Sequence, residues 1–155
     1  MKVARQLSLA ILVFVGVIAL FGSYHMITDP TGSTLGLPSY LLNGSILSSY
    51  AILGWIILVT IGLFSIVTIL SILRKANMYS ILIMLQGLII CLLVFAEIIL
   101  AGETFIMQYV FLIAGLGLIG LGFLQNSRKI AVETEKKNHP SPAPRSHHHK
   151  HRKHK

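Results

Sequence analysis

A carboxylate inside an apolar run is the first feature that could do chemistry. Glu97 lies in such a run, with Gln86 eleven residues before it. Eleven residues at about 100° each return to within roughly 20° of the same helix face. Gln86, Ile90, Leu93 and Glu97 therefore form one stripe, expected to face the inside of a bundle. An acid within a membrane span is a candidate proton or ligand site. The same pair could instead make interhelical hydrogen bonds, worth about 0.6 kcal/mol per contact on average. Glu97 falls about one turn, roughly 6 Å, from the end of its segment near Ala101. A second group is His25 and Asp29, four residues apart at the end of the first apolar run. With Glu103 at the same level they form a candidate outer polar cluster, the alternative being an ordinary helix cap with an interfacial histidine.

The C-terminus carries the third group. His147, His149 and His151 could ligate zinc, nickel or copper, but the cations interleaved with them repel a metal ion. The expected partner is instead the anionic lipid headgroup, met by Lys150, Arg152, Lys153 and Lys155 at about 1 kcal/mol per basic residue near the surface. That attraction should strengthen as the histidines protonate below about pH 6.5. An expression tag would not carry such interleaved lysines and arginines, so the tail reads as native. Nucleic acid is a weaker partner for it.

Gly115-x-Gly117-x-x-Gly120 matches a dinucleotide fingerprint in letters only. No strand precedes it and no polar loop surrounds it. Gly115, Gly117, Gly120 and Gly122 read instead as helix-packing positions, with Gly115 and Gly122 on one face and Gly117 and Gly120 on a second. Ala19 and Ser23 give the first segment a weaker face of the same kind. No serine or cysteine has a plausible histidine base, and Cys91, the single cysteine, reads as a small buried hydrophobe. The chain is therefore expected to be no enzyme and to need no cofactor.

The elements that must position these residues are hydrophobic helices. Of 155 residues, 54% are hydrophobic and only 12% charged, against about 25% in a soluble domain; the mean hydropathy is +0.77. A soluble enzyme, a disordered chain and a disulfide scaffold are excluded. A spanning helix needs about 20 mainly apolar residues, and four stretches qualify, at about 7–27, 48–73, 79–101 and 105–124. Lys2 and Arg5 before the first resemble a signal peptide, but the run is long and no clean cleavage site follows, so a retained helix is expected. The net charge of +8 is concentrated in residues 128–155, with nine Lys/Arg against two acids. Lys and Arg otherwise occur only at Lys2, Arg5, Arg74 and Lys75. Positive-inside counting then places both termini in the cytoplasm and two loops outside. Short links at Arg74–Asn77 and Gly102–Thr104 force antiparallel neighbours. Tyr40, Tyr50, Trp55, Tyr79 and Tyr109 fit interface positions.

The expected architecture is all-α: a four-transmembrane-helix bundle over 1–127 with an ordered outer loop at 28–47, then a disordered, basic, His-rich cytoplasmic tail over 128–155, whose polar stretch 130–138 could be briefly helical. In the loop, Pro30 stops the first helix, Asp29 can accept from following amides in an Asx-turn, and Pro38 starts a short helical turn. Asn43-Gly44-Ser45 matches a glycosylation acceptor or a simple turn. Asp29-Pro30-Thr31-Gly32 followed by Leu35-Gly36-Leu37-Pro38 resembles a family of small bacterial four-helix integral membrane proteins, known by this D-P-x-G-x-x-L-G-L-P outer loop rather than by an activity. The resemblance covers about residues 15–125. That family has Ser-Pro-Phe, Asp-Tyr and Ile-Pro-Gly entering helix two, where this chain has Ser45-Ile46-Leu47, Ser49-Tyr50 and Ile52-Leu53-Gly54. Without those prolines the second helix should be straighter at its outer end. The resemblance implies a multi-pass protein of the bacterial cytoplasmic membrane and carries over no functional residue. The leading expectation is a non-enzymatic structural or accessory protein associating with other membrane helices or with copies of itself. The alternative is a small transporter or proton-handling protein using Glu97 and Gln86.

Overall fold

The computed structural model describes residues 2–41, 49–101 and 104–138. Asn43-Gly44-Ser45, Glu103 and the tail beyond 138, with its lysines and histidines, lie outside them. Four helices are long and apolar enough to cross a membrane: α1 (Lys2–Thr28), α2 (Tyr50–Leu73), α3 (Tyr79–Ala101) and α4 (Ile106–Asn138). They form an antiparallel bundle with the most extensive packing between α3 and α4, and α1 closes it against both α2 and α4. The start of α1, the α2–α3 turn and the C-terminal half of α4 share one end, the terminal end. The α1–α2 loop and the start of α4 make the other, the loop end.

Burial runs opposite to that of a soluble domain. Large apolar side chains face outward, with Val17 60%, Leu92 59% and Ile113 70% exposed. Ser8, Ser23, Ser65, Thr68, Ser80, Gln86, Gln108 and Gln125 are buried among the core of Leu12, Val15, Ile61, Ile72, Ile83, Ile90, Val94 and Leu118. Such an arrangement is stable where the surroundings are lipid, since lipid tails accept leucine and refuse an unsatisfied amide.

Small residues set the helix spacing. A Cβ on Gly87 would lie 2.5 Å from the Gly115 carbonyl oxygen and 2.9 Å from the Ile119 nitrogen. Gly115 faces Cys91 and Gly87, and Gly122 faces Met84 and Ser80. The Gly115/Gly122 face is thus consumed inside the chain, against α3. On the other face, Gly117 meets only Ile11 of α1, at 3.7 Å, and a Cβ on Gly120 would meet nothing within 4 Å. Among the described residues, Gly120 therefore packs against no other helix. Gly16, Ala19 and Ser23 of α1 are buried. Gly16 lies against Ser65, and Gly54 fits beneath Met26 and the Ser23 carbonyl.

No proline bends α2, but it is not uniform. Leu58–Leu63 widens to a π-helix. Its Ile61 carbonyl accepts a hydrogen bond from the Gln86 side-chain amide of α3, which also donates to Ser65 Oγ at 3.2 Å. Gln86 thereby satisfies backbone that the widened turn leaves loose. The helix ends with Lys75 in the left-handed region, φ 52°. That conformation costs an L-residue about 1 kcal/mol relative to glycine. Lys75→Gly is expected to stabilise the bundle by about that amount, read as increased resistance to unfolding by denaturing detergent.

α4 does not stop near residue 124 but continues to Asn138. No glycine or proline interrupts residues 123–138, and Lys129, Glu133 and Lys137 succeed one another at four-residue spacing, which supports a helix in water. Lys129 anchors this extension: its Nζ donates to the Asn77 carbonyl at 2.8 Å and lies 3.9 Å from the centre of the Tyr79 ring. Gln125 donates to Ser8 Oγ at 3.0 Å, tying α4 to α1 at the terminal end.

Candidate functional site

The loop end is built around Asp29. One oxygen accepts from the Thr31 amide and hydroxyl, at 3.2 and 2.6 Å. The other accepts from the Ser33 hydroxyl and from the Thr34 amide and hydroxyl, each at 2.8 Å. Five donors on one carboxylate favour its charged form, and they hold its pKa well below the usual carboxylate range, the Thr31 hydroxyl contributing most. The folded pKa being lowered, the fastening is complete above the ordinary aspartate value of about 4 and is lost only as the pH falls through the depressed value. Hydrogen exchange at the Thr34 amide should therefore stay protected through mild acid. It should accelerate in Asp29→Asn, which offers one acceptor oxygen where the carboxylate offers two.

Tyr50 holds the rest of the loop. It is buried, 6% exposed, at the first residue of α2. Its amide donates to the Pro30 carbonyl at 3.1 Å and its hydroxyl to the Pro38 carbonyl at 2.8 Å. Gly32, at φ 75°, lies close against one edge of the Tyr50 ring. Short 3₁₀ turns at Ser33–Leu35 and Ser39–Leu41 complete the path. The D-P-x-G-x-x-L-G-L-P pattern is thus one structural unit: the aspartate and first glycine fold the loop, and Tyr50 fastens it to α2.

This loop roofs a partly open cavity of about 540 Å³, within the range of about 300–1,000 Å³ for small-molecule sites. Leu35, Gly36, Leu37 and Pro38 form the roof. Ile57 and Ile61 of α2 and Leu93, Val94 and Glu97 of α3 line the interior. α1 contributes Ile18, Ala19, Gly22, Ser23 and Met26 on one side, and Phe105 with the start of α4 lines the other. These two helices touch nearer the terminal end, at Ser8–Gln125 and Ile11–Gly117. At the loop end they stand on either side of the cavity. Ile106 and Met107 line it while exposed, which places a mouth beside the start of α4. Gly22 borders the space and a Cβ there would meet nothing within 4 Å.

Polar groups in the cavity are few. Glu97 is partly buried and makes no hydrogen bond or ion pair among the described residues. Gln108 is buried and its Oε1 accepts from the Phe105 amide at 3.0 Å, capping α4. Ser23 spends its hydroxyl on the Leu20 carbonyl.

The expected site residues are distributed differently from the sequence pattern. Gln86 and Glu97 share the inward stripe, but Gln86 is committed to Ser65 and Ile61 while Glu97 faces the cavity. They lie about three turns apart along α3 and form no single site. His25 and Asp29 form no cluster either. The His25 ring stacks edge-on against Phe21 and Tyr24 of its own helix, with ring centres 4.4 and 5.5 Å away, while the Asp29 carboxylate turns onto the loop. Four-residue spacing failed as a guide because the helix ends at Thr28, before Asp29, and the Asp29 side chain folds onto the loop that follows. Sequence reading missed Gln108, Gln125, Gly87 and the anchoring role of Tyr50. No family model, curated protein or solved structure matches the chain.

Proposed function

We propose that the protein is a non-enzymatic accessory protein of the bacterial cytoplasmic membrane that works by holding an apolar membrane component in the loop-end cavity. The roofed cavity is the observation that carries this reading: a stabilised loop, four helices and a glycine without a neighbour enclose space that packing alone would have filled. Association with other membrane helices, the expectation from the glycine pattern, has less surface to use. Gly115 and Gly122 are already occupied by α3, which leaves Gly120 as an outward small residue on α4. Transport along a Glu97–Gln86 path is disfavoured because Gln86 is bound to α2.

The resemblance of the D-P-x-G-x-x-L-G-L-P loop supports placing the chain beside the small four-helix bacterial membrane proteins. Orientation follows from charge: Lys2, Arg5, Arg74, Lys75, Arg128 and Lys129 gather at the terminal end, so that end faces the cytoplasm and the cavity opens in the outer half of the bilayer. The tail beyond residue 138, with Lys150, Arg152, Lys153 and Lys155, then meets anionic headgroups of the inner leaflet. Native mass spectrometry in mild detergent tests the function. A retained small apolar passenger, displaced in Gly22→Leu, is the expected result. A passenger-free chain whose assembly state Gly22→Leu leaves untouched contradicts it.

A further inference from the structure

We infer that the cavity takes a cationic amphiphile, with its ammonium group against Glu97 and its apolar chain among the isoleucines and methionines of α1, α2 and α4. The inference rests on the cavity being the working site and names its ligand class. An ionised carboxylate partly withdrawn from water needs a counter-charge or donors. Glu97 has neither within the described chain. No Lys or Arg occurs between Arg5 and Arg74 or between Lys75 and Arg128, and His25, the basic side chain at the end of α1, lies outside the cavity lining with its ring against Phe21 and Tyr24. A second copy of this chain would bring no Lys or Arg from its own loop end either. An ammonium group from outside the chain would supply that complement, and the lining says what else such a molecule carries. Apart from Glu97, Gln108 and Ser23, the walls are apolar or glycine. One charged point beside a long apolar space fits a single-chain amine. A diacyl phospholipid with an amino headgroup shares the ammonium, but its phosphate would lie near Glu97 with no basic residue to balance it.

Binding of tritiated tetradecylamine to the full-length protein in neutral detergent, with tetradecanol and tetradecanoic acid as competitors, decides the point. Tetradecylamine should bind at least about tenfold more tightly than tetradecanol, the effect of one charge-assisted hydrogen bond of about 1.5 kcal/mol, and the acid should not compete. In Glu97→Gln the amine's affinity should fall to that of the alcohol while the alcohol's is unchanged. Gly22→Leu, which fills open space and keeps the fold, should weaken both. Equal binding of amine and alcohol, both lost in Gly22→Leu, would overturn the cationic ligand and leave the cavity reading standing. Amine binding indifferent to Gly22→Leu would overturn both. Phosphatidylethanolamine in mixed micelles distinguishes the source: effective competition assigns the ammonium to a membrane lipid, and its failure assigns it to a free amine.

Discussion

Gly87→Ala should cost the bundle about 3 kcal/mol, the upper part of the range for forcing a methyl group into packed surroundings. The added Cβ would lie 2.5 Å from the Gly115 carbonyl oxygen and 2.9 Å from the Ile119 nitrogen. Both are backbone atoms, so no side-chain rotation relieves the overlap and α4 must move away from α3. That movement also draws Gly115 from Cys91 and Gly122 from Met84, the neighbours that share the seam. Gly120→Ala is the matched control. It adds the same methyl group on the same helix pair, into open space, and should leave stability within about 0.5 kcal/mol. Unfolding of the two variants in mixed micelles with increasing denaturing detergent measures the difference. Equal midpoints would show that the α3–α4 approach is looser than the glycines imply.

Gly32→Ala should release the roof. A residue other than glycine at φ 75° costs about 1–3 kcal/mol in backbone strain. Here the new Cβ also meets the Tyr50 ring at 2.7 Å and the Leu37 Cβ at 2.9 Å. The cheapest relief is to lift the loop from Tyr50, which breaks the bond from its hydroxyl to Pro38 and that from its amide to Pro30. Hydrogen exchange at the Tyr50 and Leu37 amides, the latter bonded to the Gly32 carbonyl at 2.9 Å, should accelerate together by at least about tenfold, since 1.4 kcal/mol is a factor of ten. Gly36→Ala carries a similar positive φ, 64°, but meets nothing within 4 Å. It should show the backbone cost alone and leave Tyr50 protected.

The spans were readable because a helix in lipid must be long and apolar whatever it packs against. α3 matches its expected bounds, and the inward stripe of Gln86, Ile90 and Glu97 follows from helical period alone. Only part of the role of Tyr50 was legible: an aromatic residue at the end of an apolar run has the composition of an interface anchor, and only the folded loop shows that its hydroxyl is bonded to Pro38. Gly87 gave no signal because a single glycine has no spacing to betray it; its partner Gly115 is 28 positions away in the chain. Gln125 looked like the polar boundary of a span until its contact with Ser8 placed it inside. The α4 extension was obscured by its polarity, which marks the edge of lipid rather than the end of a helix. The cavity itself is invisible to any linear pattern, being what four segments and a loop fail to fill.

Photo-cross-linking in native membranes tests most directly whether that cavity is a working site. A diazirine-bearing residue at Val94, buried at 4% exposure in the cavity wall, is compared with one at Phe123, which is 59% exposed on the bundle's exterior. Mass spectrometry of the labelled chain should show at Val94 a small amphiphile enriched over bulk lipid, absent at Phe123 and reduced when Gly22→Leu is combined with the Val94 probe. The same bulk-lipid adducts at both positions, or only intrachain products at Val94, would contradict the cavity as the place where this protein acts.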